Sequence, residues 1–226
     1  MHRQLLIKLC AIMLIRNSWL RTQMEEKLQV LVGVVVPPGK EFALPAFRQA
    51  TRSLLGDGFT VKKPGMPIEQ QRKIMVDEAV KRKMGLLLLD CDIIPPENVL
   101  DLLRVKAAIV GGAYLGWQDM GQAKIAPCAY AEADKGIAFI PVDYLIKGQV
   151  LPVAAVGFGC AYLSLEVMKK IPYPSGVNED VEFCRLAREK GFVVGVHSGV
   201  KCVRKTPNGD LSWPVARAGL RFTTDV

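Results

Sequence analysis

Four consecutive leucines, Leu86 to Leu89, run straight into Asp90-Cys91-Asp92, and Pro95-Pro96 stop the run at once. A short apolar run closed so firmly reads as a strand sunk in a sheet, with its carboxyl end at a polar edge. Its neighbours set the fold class. "QVLVGVVV" (Gln29 to Val36) reads as a strand ended by Pro37-Pro38-Gly39. Leu44 to Leu55 reads as a helix closed by Gly56-Asp57-Gly58, and "FTVKK" as a further strand. Pro67 opens a helix at its favoured first position, with Gly85 just past the helix end. "PPENVLDLL" begins another helix and "AAIVGGAYL" another strand. This alternation predicts an α/β fold, a mostly parallel central sheet flanked by helices, with ligands at the carboxyl ends of the strands.

The second half is less regular. Trp117 to Tyr144 mixes short strand-like pieces with loops. Val153 to Ile171 reads as a strand with two glycines followed by a helical turn. Asn178 to Gly191 reads as a helix with an asparagine cap and a glycine stop, and "FVVGVHSGVKCVRK" holds a last strand or two. The organisation expected is a leader or helix of open status over 1–24 and one domain over 25–226. Within that domain, 28–112 is the regularly alternating half and 113–205 the irregular one. Thr206 to Val226 reads as a tail or an edge segment.

A formal charge of +8 and a pI near 9.2 favour anionic partners. No run of five or six basic residues appears, and no basic stripe alternates with aromatics, which argues against nucleic acid as the main ligand. The six cysteines show no C-x-x-C spacing and lie mostly in apolar stretches, so neither a disulfide framework nor a zinc site is expected. That pattern suits the cytoplasm. Leu5 to Ile15 is apolar, carries Lys8, and is too short to span a bilayer. A signal peptide, a membrane-surface helix with the chain peripheral to the membrane, and a natural start at Met24 all stay open.

Few side chains are placed to carry chemistry. In an extended segment alternate residues point the same way, so Asp90 and Asp92 can face one ligand. Their mutual repulsion would be relieved by Mn2+ or Mg2+, which are held by one or two carboxylates plus substrate phosphates. One acid then touches the metal while the other accepts from a ribose. The bland alternative is a solvated turn. Arg72 falls in the middle of the apolar stripe Ile68, Met75, Val76, Ala79. It either snorkels or meets an anion, a phosphate or Asp90 itself. Glu179 and Asp180 sit in the first turn of a helix, where the dipole alone favours acids. A carboxylate there can also serve as a general base toward an acceptor hydroxyl. The glycines of "GFGCAY" either admit a ligand to the backbone or mark a bulge. His197 is either a third metal ligand or structural. Neither a G-x-x-x-x-G-K-[ST] phosphate loop nor a G-x-G-x-x-G fingerprint is present.

Taken in order, "VLVGVVVPP", "QQRKIMVDEAV", "LLLLDCDIIPPENVLDLL", "AAIVGGAYL", "VGFGCAYLSLEVMKKIPYP" and "NEDVEFCRLAREKGFVVGVHSGVKC" resemble GT-A class glycosyltransferases, especially the family-2-like enzymes. The resemblance implies a metal-assisted enzyme moving a sugar from a nucleoside-diphosphate sugar to a hydroxyl of a glycan, lipid or protein, with 28–112 as the nucleotide-binding half and 113–205 as the acceptor half. It makes Asp90-Cys91-Asp92 the D-x-D motif, with Asp92 the metal ligand, and places Pro37 and Arg72 near the nucleotide. Glu179-Asp180 matches the acidic pair at the acceptor side, with Asp180 as base if the enzyme inverts. Such sequences often carry a metal-binding histidine shortly after the final V-x-C. Here the stretch reads "VKCVRKT". Either His197 serves from a shifted position, or Arg204 or Lys205 neutralises the diphosphate directly. The rival expectations are a nucleotidyltransferase on a related fold and a non-catalytic nucleotide-sugar-binding module.

Overall fold

The computed structural model describes residues 30–55, 59–61, 65–119, 123–134, 136–145 and 148–213. The expectations for the leader, and for the tail beyond Trp213, lie outside the described residues. In chain order the strands are β1 (Val30–Val35), β2 (Phe59–Val61), β3 (Gly85–Asp90), β4 (Ile93–Ile94), β5 (Ile109–Ala113), β6 (Leu115–Asp119), β7 (Ala123–Pro127), β8 (Ala129–Ala133) and β9 (Gly136–Phe139). They continue with β10 (Val150–Pro152), β11 (Ala155–Val156), β12 (Cys160–Leu163), β13 (Val194–Lys201), β14 (Val203–Thr206) and β15 (Gly209–Leu211). The α-helices are α1 (Leu44–Leu55), α2 (Ile68–Arg82), α3 (Leu165–Lys170) and α4 (Glu179–Glu189).

The fold is mixed α/β with a core made mainly of sheet. Seven strands form the central sheet in the order β10-β13-β5-β12-β3-β1-β2. β1 runs parallel to β2 and β3, and β5 parallel to β13. β12 enters between β3 and β5 antiparallel to both, and β10 closes one edge antiparallel to β13. The leucine run explains itself here. Every residue of β3 is buried. Leu86 and Leu88 pack into one apolar cluster with α2 and α4 residues, and Leu87 and Leu89 into another with Leu44 and Phe47 of α1. A strand covered on both faces needs apolar side chains at successive positions, each contributing roughly 1.5–3 kcal/mol by burial.

Several expectations shift in detail. The "PPENVLDLL" segment makes a 3-10 turn over Val99–Arg104, stapled by Val99 N–H on Pro96 O and Asp101 N–H on Asn98 O. Pro67 stands just before α2, its carbonyl accepting from Gln71 N–H, and α2 ends on Lys83 in the left-handed region (φ 59°). Asn178 precedes α4 at φ 61° and makes no side-chain cap; asparagine is there because it tolerates that backbone. Gly191 (φ 81°) does stop α4, with its N–H on Arg188 O. The five cysteines described are all free thiols. Among the described residues no helix is long and apolar enough to cross a membrane.

Candidate functional site

The chain turns immediately after β3. Cys91 N–H bonds Val35 O at 2.8 Å, so Asp90 lies beside the end of β1 and Asp92 moves on toward β4. The turn separates the partners of the two acids, which alternation alone had put toward one ligand. Asp90 faces α2, where one Nη of Arg72 lies 3.0 Å from each carboxylate oxygen. The other Nη of Arg72 pairs with Glu179 at the start of α4. Tyr173 Oη donates to the same Glu179 oxygen at 3.4 Å. Arg72, Asp90 and Glu179 are all buried, so one guanidinium ties the end of β3 to the late acidic pair across the core. Of the two sequence readings of Arg72, the anion-meeting one holds, with Asp90 as the anion.

One cation shared by two buried carboxylates sets the electrostatics. Burial pulls the Arg72 pKa down, but the charges of Asp90 and then of Tyr173, Glu179 and Asp180 outweigh it and keep the guanidinium charged. Asp90 is pushed up to about 6, chiefly by burial, with Arg72 only partly restoring its acidity and Asp92 opposing it. Beside them, Asp180 is half-buried. Its Oδ2 accepts from Phe158 N–H at 3.3 Å and its Oδ1 from Val181 N–H at 2.8 Å. Asp180 therefore faces the β11–β12 loop while Glu179 turns inward.

Asp92 sits in different company. β4 pairs antiparallel with β14, with Ile93 opposite Arg204. Arg204 Nε donates to Asp92 Oδ2 at 3.1 Å, Lys40 Nζ lies 3.9 Å from the same oxygen, and Lys205 N–H bonds Asp92 O. Asp92 is fully buried, and its Oδ1 has no partner. Cys91, also buried, donates its thiol to Lys40 O at 3.4 Å and has its pKa raised to about 12 by burial. Cys91 is thus wholly taken up by the core, its N–H held by Val35 O and its thiol by Lys40 O. Pro37 begins the turn that Lys40 N–H closes on Pro37 O.

His197 lies on β13, opposite Val150 and Gly112, with its Nδ1 accepting from Gly199 N–H; two strands stand between β13 and β3. Among the described residues no three His, Cys, Asp or Glu side chains gather to hold a metal. The expected set of Asp90, Asp92 and His197 is thus not brought together. Asp90 is taken up by Arg72, and Asp92 has one buried oxygen without a partner and two cations beside the other. Mn2+ and Mg2+ prefer about six oxygen ligands, and one carboxylate oxygen flanked by lysine and arginine does not fit a resident ion of that kind.

Four further residues escaped the sequence reading. Gln71 clamps the end of β1: its Oε1 accepts from Val36 N–H at 3.1 Å, and its Nε2 donates to Val36 O at 2.9 Å. It lies on the same buried stripe as Arg72, which was the signal available. Tyr114 Oη accepts from Gly159 N–H, and a Cβ on Gly157 would fall 2.2 Å from that oxygen. The glycines of "GFGCAY" therefore make room for a tyrosine, not for a ligand. Lys40 and Tyr173 were visible only as loop residues. A surface hollow lined by Ala131, Glu132, Pro152, Val153, Ala154 and Arg188 holds none of these groups.

No known protein-family pattern matches the sequence, and no curated protein is similar to it. Solved structures do resemble it. A197 from STIV superposes with a TM-score of 0.56 at 16% identity, over 81% of this chain and 93% of that one. The inositol-1-phosphate CTP transferase from T. maritima gives 0.36 at 14% identity, over 77% of this chain and 68% of that one. The nucleoside-diphosphate-sugar pyrophosphorylase from Vibrio cholerae RC9 gives 0.36 at 10% identity, over 74% and 72%. The first of these shares the fold, at an identity too low to carry function.

Proposed function

We propose that this chain is a glycosyltransferase of GT-A type, moving a sugar from a nucleoside-diphosphate sugar to a hydroxyl acceptor. One observation carries the reading: Arg72 joins Asp90, at the end of the leucine strand, to Glu179, at the start of α4. Two acidic motifs far apart in sequence thus share one end of the sheet, the arrangement a donor site facing an acceptor site needs. Residues 28–112 carry the donor side, where Pro37 opens the turn beside the buried Asp90-Cys91-Asp92 segment. Residues 113–205 supply the acceptor side through Asp180. Glu179 is the positioning partner of Arg72.

In this reading the bond from the anomeric carbon to the diphosphate oxygen breaks as the acceptor oxygen bonds to that carbon. The acceptor's proton passes to Asp180, and the leaving charge stays on the diphosphate. Asp180 suits the base role better than Glu179, since it is half-buried and carries no ion pair among the described residues, whereas Glu179 is buried against Arg72. Asp180→Asn should keep nucleoside-diphosphate binding and lower sugar transfer by roughly 10²–10⁴-fold, measured by nucleoside-diphosphate release with a panel of donors and hydroxyl acceptors. Unchanged transfer by the variant would remove Asp180 from the mechanism. Release of pyrophosphate from a nucleoside triphosphate plus a sugar phosphate would establish nucleotidyl transfer instead. Binding without any turnover would leave a sugar-nucleotide-binding module.

A further inference from the structure

We propose that the diphosphate of the donor is gripped directly by Lys40 and Arg204, so that nucleotide binding needs no divalent ion; this rests on the sugar-nucleotide reading above. The two cations come from separate parts of the chain. Lys40 is carried by the turn that leaves β1, closed by its own N–H on Pro37 O. Arg204 is carried by β14, and a bulge puts it there: β13 advances from His197 to Lys201 while β5 advances only from Gly112 to Ala113. Bulges re-aim the chain that follows them. Both heads meet at Asp92 Oδ2, at 3.9 Å and 3.1 Å.

Asp92 is the brace and the cations are the contact surface. Its side chain is 0% exposed, against 27% for Lys40 and 26% for Arg204. The Arg204 side chain spends Nε on Asp92 and makes no other hydrogen bond among the described residues, so its two Nη groups are free to take two phosphate oxygens side by side. Lys40 makes no further ion pair among the described residues and adds a point charge. Two positive charges against one carboxylate leave the pair net positive beside the end of the strand that carries the D-x-D motif. A diphosphate there meets two single charges in place of one double charge. The other cations nearby are spoken for. Lys205 Nζ goes to Asp210, and Arg72 is buried between Asp90 and Glu179. Asp92 also keeps Oδ1 buried with no partner, a costly state for a carboxylate whose only task is packing.

The test is calorimetric titration of the full chain with UDP, GDP, CDP and ADP, in EDTA and in Mn2+. At least one nucleotide should bind in EDTA with an affinity within a few-fold of that in Mn2+. Lys40→Met and Arg204→Met should each weaken that binding by about tenfold or more, the size expected for losing a charge-assisted contact. Arg204→Lys should retain part of it, and added salt should weaken it. Arg204→Met also strips a buried carboxylate of its nearest partner; if its melting curve shows it unfolded, Lys40→Met at the rim decides alone. Binding that appears only with Mn2+, or that survives intact in Lys40→Met, overturns the inference and leaves the sugar-nucleotide reading standing. No binding of any nucleotide in either buffer overturns both.

Discussion

Asp90 and Asp92 stand one residue apart, yet they end in opposite electrical surroundings. Around Asp90, one guanidinium serves two buried carboxylates, and Arg72 is 4% exposed. Around Asp92, two cations about a quarter exposed serve one buried carboxylate. The first region is closed and short of positive charge; the second opens outward with positive charge to spare. The difference shows that a D-x-D sequence need not be a pair of equivalent claws. Here the first acid is a strut that holds the end of β3 to the start of α4, and the second organises side chains that can meet an anion.

The largest effect expected from this contrast is on stability. Arg72→Met should destabilise the fold by about 3–5 kcal/mol in urea unfolding, because it strands Asp90 and Glu179 in the core without a counter-charge. Adding Asp90→Asn and Glu179→Gln to that variant should recover much of the loss, since the stranded charge and not the missing contact is the main cost. A loss below about 1 kcal/mol would mean that the Asp90 side is solvated and the contrast false. Arg204→Met should cost less, about 1–3 kcal/mol, because Lys40 remains and Arg204 is partly exposed. Equal losses in the two variants would erase the distinction between strut and contact surface.

The sequence exposed the strut more readily than the contact surface. Arg72 stood out because a charge interrupted a helical apolar stripe, a local pattern that needs no knowledge of the partner strand. The leucine run named an inner strand of the sheet because burial on both faces leaves no solvent-facing position. Glu179 and Asp180 were visible as acids at a helix start, but their separate directions depend on how α4 meets α2 and the β11–β12 loop. Lys40 and the exact seat of Arg204 depend on a turn and on a bulge, where one residue of slippage changes what a side chain meets. The antiparallel entry of β12 between β3 and β5 was likewise invisible, since alternating strands and helices state a direction for each crossover but not which strand is inserted last.

The finest test of the comparison is the pH dependence of stability, because burial raises the carboxyl of the closed region. Asp90 in the fold takes its proton at about 6, while an aspartate in the unfolded chain takes it near pH 3.9. Between those values the folded state holds more protons than the unfolded one, so raising the pH through that window withdraws stability. The groups that set the value are burial first, then Arg72 and Arg204 lowering it and Asp92 raising it. Unfolding midpoints measured from pH 4 to pH 7 for the native chain and for Asp90→Asn should therefore diverge. The native chain should lose ground to the variant as the pH climbs to about 6, and the gap should level off above it. A native chain that gains on Asp90→Asn over that interval would show that Arg72 outweighs burial at this carboxylate.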